Sequence, residues 1–189
     1  MKMNYLKSLM ASVIIAAVSF NTVNAQDKVN VKESTIKWEG EKLTGSHDGV
    51  IQMKEGFFLM DGGDLVGGEF IVDMTTIEVT DLEGDGKAKL EGHLNSDDFF
   101  GTETHNDAKF TINTVAKKGD TYGVSGEMTI KGKTNPIAFD LNMVNGKAST
   151  EFKIDRTKYD IRYGSGSFFD NLGDKTIYDE FTLMIEMQY

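Results

Sequence analysis

The sequence predicts an all-β, antiparallel fold, with about eight to ten strands at the spacing of a sandwich or a barrel. Three observations predict it. Apolar and polar residues alternate with period two along most of the chain after residue 30. Turn-forming pairs punctuate the alternating runs. One short segment alone keeps the spacing of a helix.

The elements follow in chain order. Met1 to Lys7 is short and basic, Leu9 to Val18 is apolar, and Val23-Asn24-Ala25 is a run of small residues ending at a cleavage position. That is the layout of a secretory signal. Its apolar run of about ten residues falls short of the roughly 20 needed to span a bilayer. Cleavage near Ala25 is therefore expected, placing residues 26–189 in the periplasm or outside the cell as one domain with no transmembrane segment. Ile36 and Trp38 alternate with Lys37 and Glu39. Tyr122, Val124, Met128 and Ile130 alternate with Gly123, Ser125, Glu127 and Thr129. Ile137, Phe139, Leu141 and Met143 do the same, as do Phe181, Leu183, Ile185 and Met187. Shorter runs surround Phe110–Ile112 and Phe152–Ile154. Such alternation marks strands with one wet face, which favours antiparallel pairing. Asp61-Gly62-Gly63, Lys118-Gly119-Asp120 and Asn145-Gly146 are hairpin signals between the runs. In Lys87–Phe100, Leu90 and Leu94 stand four apart with His93 close to the same face, which predicts a short helix. Tyr163–Gly173 is glycine-rich and irregular, with Phe168-Phe169 inside it.

Charge and composition narrow the function. The 189 residues carry 20 Lys+Arg and 30 Asp+Glu, a net charge of −10. Residues 1–25 hold Lys2 and Lys7 and no acid, so removing them leaves 164 residues at −12. Phosphate binding rests on Lys and Arg, so nucleic acid is a poor partner, and anionic lipid surfaces repel such a domain. With no Cys there is no disulfide framework, thiolate zinc site or Cys nucleophile.

Few polar motifs carry chemistry. Asp81-Leu82-Glu83-Gly84-Asp85-Gly86 resembles the start of a calcium loop, but the twelfth position is Gly92 rather than the bidentate Glu, so it reads as an acidic turn. His47, His93 and His105 show no ligand spacing, and no metal is expected. His47 lies between Gly45 and Gly49 on one strand face, where glycines mark a bend or a close approach. Gly164-Ser165-Gly166-Ser167 does not match a nucleophile elbow, and P-loop and dinucleotide fingerprints are absent. Arg156, at the end of a strand, is expected either to pair with Asp155 or another carboxylate or to anchor a polar head group. The large soft residues Phe70, Phe110, Met128, Phe139, Met143, Phe152, Phe181 and Met187 fall on inward faces. They suit either a packed core or a permissive apolar pocket.

These residues together resemble the YceI-like family of exported, lipocalin-like proteins that bind polyisoprenoids and related lipids. The resemblance spans about residues 33 to 189. It runs from Ser34-Thr35-Ile36-Lys37-Trp38, Lys42 and Gly45-Ser46-His47-Asp48-Gly49 to Gly67-Gly68-Glu69-Phe70-Ile71-Val72-Asp73. Leu90, His93-Leu94, Ser96-Asp97-Asp98-Phe99-Phe100 and Ala108-Lys109-Phe110 follow. Gly126-Glu127-Met128-Thr129-Ile130-Lys131-Gly132 and Phe152-Lys153-Ile154-Asp155-Arg156 complete it. The sequence departs from the family at Thr104-His105-Asn106, where an aromatic-Pro pair is usual. The resemblance implies an antiparallel eight-stranded barrel with a short helix and a long apolar channel. It also implies a non-catalytic role in carrying or storing an isoprenoid lipid or isoprenoid quinone, with no other cofactor. Trp38, Phe70, Phe110, Met128, Ile130, Phe139, Leu141, Phe152, Ile154, Phe168 and Phe169 are then the expected channel residues, with His47 and Arg156 as head-group candidates. Two rivals stand beside this reading. One is a filled-barrel interaction module that meets a basic partner or a redox membrane protein through its surface, at the acidic turns Asp81–Asp85 and Asp97–Asp98. The other is a lipid-processing enzyme using His47 or His93. A homodimer and a membrane-protein donor or acceptor are left open by the sequence.

Overall fold

The computed structural model describes residues 26–189, and the expected signal segment lies outside them. Strand alternation is realised almost throughout. The strands are β1 (Asp27–Asn30), β2 (Glu33–Lys42), β3 (Gly45–Asp61), β4 (Asp64–Val79), β5 (Asp107–Lys118), β6 (Thr121–Ile130), β7 (Lys133–Val144), β8 (Lys147–Asp155) and β9 (Ile177–Gln188). From β2 to β9 each strand pairs antiparallel with its neighbour in sequence, and β9 returns to pair with β2. The result is a closed up-and-down barrel of eight strands, β2 to β9, which leaves no full-length sheet edge. β1 adds a short ninth strand. It pairs with the far half of β3, from Asp27↔Met60 to Asn30↔Phe57, beyond the stretch that β2 occupies.

Turn chemistry fixes the hairpins. Asn145 and Gly146 both take positive φ, 51° and 76°, as a two-residue hairpin turn requires. Lys131 and Gly132 make a turn of the same kind at 50° and 69°. That turn carries no Asn or Asp signal, because Lys is seldom found in the left-handed region. The helix α1 (Gly84–Asn95) fills the β4–β5 connection. It starts earlier than the Leu90/Leu94 spacing indicates and stops at Asn95 rather than running on to Phe100. Ser96 ends it by turning its N–H and its hydroxyl back to the His93 carbonyl, at 3.1 and 2.7 Å. At the departure near Thr104-His105-Asn106, the His105 N–H closes a turn onto the Gly101 carbonyl at 2.9 Å. Gly101 adopts φ +58° there.

One end of the barrel is packed solid. Phe58 is fully buried and meets the rings of Phe70 and Tyr189 edge-on, each at 5.1 Å. Leu65, Tyr122, Val124, Met143 and Ala148 are buried with it. Bulges in the β3–β4 ladder bend these two long strands around the core. On the wall, Gly49 opposes Trp38. A methyl at Gly49 would collide with the Glu78 carbonyl and the indole, so the glycine permits a close approach of backbone and ring. Gly49→Ala should therefore cost about 1–3 kcal/mol, since the backbone oxygen cannot give way like a side-chain tip. A urea midpoint equal to that of the parent would contradict this packing. Among the described residues, no helix is long and apolar enough to cross a membrane.

Candidate ligand-binding site

Above the packed floor the barrel is hollow. The cavity measures about 170 Å³, counted by the positions open to the centre of a water molecule, and its wall is almost entirely apolar. Apolar cavities of this order stay dry and accept apolar guests. Nine expected channel residues lie in the wall. They are Trp38 on β2, Phe70 on β4, Phe110 on β5, Met128 and Ile130 on β6, Phe139 and Leu141 on β7, and Phe152 and Ile154 on β8. Ile36, Ile51, Met53, Met74 and Ile77 join them, and β9 contributes Phe181, Leu183, Ile185 and Met187. The Phe110 and Phe139 rings approach to 5.1 Å in the wall, and Gly126 on β6 lets the β5 backbone come close beside them. A Cβ at Gly126 would meet the Phe110 ring at 3.0 Å and strike the Thr111 backbone.

The other end is covered by a lid. Leu94 at the end of α1, with Phe99 and Phe100 just after it, completes the lining there. These three were not among the expected channel residues. Their signal was the apolar exit of the helix, which sequence alone ties to no particular strand end.

Arg156 secures a second segment at this end, residues 161–179. It follows β8, is 2% exposed, and borders the cavity. Its Nε donates to the Tyr178 carbonyl at 3.0 Å, and Nη1 donates to the Ile161 and Tyr163 carbonyls at 2.9 Å each. Nη2 donates to the Ile177 carbonyl at 3.1 Å and faces Asp179 Oδ1 at 3.5 Å. A guanidinium has five N–H groups; four of them donate to these carbonyls, and the fifth, on Nη2, faces the Asp179 carboxylate. Burial pushes the pKa of Arg156 down, while Asp179 and Asp155 work the other way. Asp155 is not its direct partner, because its carboxylate accepts from the Thr157 N–H at 3.0 Å and caps the short 3-10 turn Arg156–Tyr159. Arg156 thus ties the segment 161–179 over the barrel rather than presenting free donors to the cavity.

Asp179 carries a pH dependence. Burial raises its pKa, but the Ser165 and Ser167 hydroxyls and the Arg156 charge outweigh burial and hold it below the ordinary carboxylate value. A depressed folded pKa adds stability that is present above the unfolded pKa and is lost as pH falls through the folded one. Asp179→Asn should therefore lower stability at pH 7 and flatten its decline below about pH 5. Urea midpoints measured from pH 7 to pH 3 check this, and parallel acid limbs for the two proteins would contradict it.

The remaining candidates sit elsewhere. His47 lies outside the cavity lining. Its Nδ1 bonds Asp81 Oδ2 at 2.8 Å, and Asp81 Oδ1 also accepts the Asp48 N–H at 3.3 Å. The first acid of the calcium-like turn is thereby engaged with the β3 strand. Phe168 and Phe169 also lie outside the lining, 46% and 50% exposed. Their loop is pinned by the buried Ser165, whose carbonyl accepts both backbone N–H groups and leaves the rings on the outer side. His93 packs against the rings of Tyr163 and Phe99 at 4.3 and 5.4 Å. Its Nε2 is buried without a hydrogen-bond partner among the described residues.

Comparison with known proteins agrees with this architecture. A UPF0312 protein of Photorhabdus laumondii, plu2095, is 36% identical over 69 residues, covering 36% of this chain and 35% of that one. A UPF0312 protein of Staphylococcus epidermidis, SERP2314, is 37% identical over 84 residues, 39% of this chain and 47% of its own. Protein YceI of Escherichia coli O157:H7 is 32% identical over 69 residues, 36% of each chain. These matches span a third to a half of the relatives' lengths. Among solved structures, Burkholderia cenocepacia BcnA superposes with a TM-score of 0.62 at 19% identity, over 82% of this chain and 94% of its own. A polyisoprenoid binding domain from Saccharophagus degradans, described as implicated in plant cell wall breakdown, gives 0.58 at 12%, over 87% and 99%. At these identities the structural likeness speaks for the fold. The family model of the YceI-like domain matches residues 11–189, nearly the whole sequence, and the chain belongs to that family.

Proposed function

We propose that this protein is an exported, non-catalytic carrier that holds the chain of an isoprenoid lipid or isoprenoid quinone inside its barrel. The observation that carries the reading is the hollow, almost wholly apolar interior between a packed floor and a tied lid. The Saccharophagus structure, described as a polyisoprenoid binding domain, supports the choice of guest. Burying one five-carbon prenyl unit is worth roughly 3–4 kcal/mol at about 0.8 per CH₂. Association costs roughly 4–15 kcal/mol, so a few buried units give useful affinity with little discrimination along the tail. The head group is read as uncharged. Four of the five Arg156 donors are held by backbone carbonyls and the fifth faces the Asp179 carboxylate, and Glu180 lines the cavity at that end. Among the described residues, His93 Nε2 and Asp179 Oδ1 are buried without hydrogen-bond partners, outside the cavity lining. Export rests on the pattern of residues 1–25.

The filled-barrel rival needs a packed interior, and the cavity counts against it. The enzymatic rival loses its first candidate, because His47 is held by Asp81 away from the cavity. Organic extraction of protein purified from its source, followed by mass spectrometry, tests the proposal. The expected result is a prenyl lipid or quinone in near-stoichiometric amount. A protein that yields no lipid, and takes up none when offered prenyl alcohols or quinones, would sink it.

A further inference from the structure

A closed barrel is held shut by its hydrogen-bond ladders, and here one ladder is incomplete. Seven of the eight junctions carry at least six paired positions each. The β7–β8 junction carries three: Val144↔Lys147, Met143↔Ala148 and Asn142↔Ser149. Beyond Asn142, β7 stays paired to β6 and β8 stays paired to β9, yet the two do not pair with each other. Continuing the register would set Phe139 opposite Phe152.

Side chains cross this seam instead. The Thr150 hydroxyl donates to the Asp140 carbonyl at 2.7 Å, where the ladder stops. The rings of Phe139 and Phe152 then stack across it, 4.1 Å apart and within 3° of parallel. At the lid end, Asn135 Nδ2 donates to the Lys158 carbonyl at 2.9 Å. The sequence is consistent with a free strand side here. Its single proline, Pro136, lies in β7 along the unlaced stretch, and proline within a strand belongs where no partner needs its missing N–H.

Both gate rings line the cavity. The floor is packed around Phe58, and at the other end four Arg156 hydrogen bonds tie down the segment 161–179. Parting the seam disturbs one ring pair, one hydroxyl bond and, at the lid end, the Asn135–Lys158 bond, and it leaves every backbone ladder intact. We propose that the apolar ligand enters and leaves sideways between β7 and β8, with the stacked Phe139–Phe152 pair as the gate. This rests on the lipid-carrier reading above.

The chain has no Cys, so a paired substitution can lock the seam without competing thiols. Asp140→Cys with Glu151→Cys places a disulfide across it, next to the Thr150–Asp140 bond. Ser125→Cys with Ala138→Cys crosses the fully laced β6–β7 junction as a control. The probe is a fluorescently labelled farnesol, with uptake and release followed by stopped flow on the full chain. Oxidation should slow exchange in the seam variant by about tenfold or more, as for a closed gate. The equilibrium affinity should hold, and dithiothreitol should restore the rate. The control pair should exchange equally fast oxidised and reduced. Phe139→Ala, which removes half the gate, should speed exchange. Equal rates in the oxidised and reduced seam variant, with the cross-link verified by mass, would overturn the portal alone. So would equal slowing by the control disulfide, or an unchanged rate in Phe139→Ala. Absence of probe binding in the reduced protein would overturn the carrier reading and the portal with it.

Discussion

Arg156→Met is expected to lower the unfolding free energy by about 3–5 kcal/mol, the cost of breaking a buried charge network from one side. The reason is what remains behind. Four carbonyls, of Ile161, Tyr163, Ile177 and Tyr178, lose their donors, and Asp179 loses its neutralising charge. Each unsatisfied buried acceptor carries a desolvation penalty of about 1–3 kcal/mol, partly relieved if the lid loosens and admits water. For a chain of this size, the loss corresponds to a fall in melting temperature of roughly 10 °C. Arg156→Lys should recover little of it, because one ammonium with three N–H groups cannot reach acceptors spread around a planar fork. Thermal unfolding of both variants checks this. A loss below about 1 kcal/mol in Arg156→Met, the range of an ordinary surface ion pair, would mean that Arg156 does not secure the lid.

Leu183→Asp should abolish lipid binding while leaving a folded barrel. Leu183 lines the cavity on β9 and is only half-buried, so water entering the empty cavity can hydrate the carboxylate. A bound prenyl chain would have to displace that water and leave the carboxylate desolvated, which costs several kcal/mol. About 3 kcal/mol corresponds to roughly a hundredfold loss of affinity. Circular dichroism should show the parent β signal. Titration with a fluorescent farnesol should show no saturable binding at concentrations that saturate the parent. Parent-like affinity in a folded Leu183→Asp protein would place the ligand somewhere other than the barrel interior.

The fold was largely legible because a barrel strand writes its burial into alternate residues. Tyr122 to Ile130 and Phe181 to Met187 announce their inward faces directly, and Asn145-Gly146 marks its own turn. The cavity wall was legible for the same reason. What failed were features set by contacts distant in sequence. Arg156 reads as a strand-end charge, and only the return of the 161–179 segment shows that backbone carbonyls consume its donors. Phe168 and Phe169 are expected in the channel from their apolar character, but Ser165 holds their backbone so that the rings stay outside. The glycines around His47 correctly mark a close approach, yet the approaching group is Trp38 against Gly49 and not a ligand. Leu94, Phe99 and Phe100 were visible as an apolar helix exit, but their placement over the barrel mouth is a property of topology.

The interior is the centre of this reading, and crystallographic density from protein purified from its native host tests it most directly. Continuous tubular density should run along the barrel between Phe110 and Ile185, with its polar end at the Leu94–Phe100 end. An interior filled instead by repacked Phe and Met side chains, with no ligand density, would contradict it.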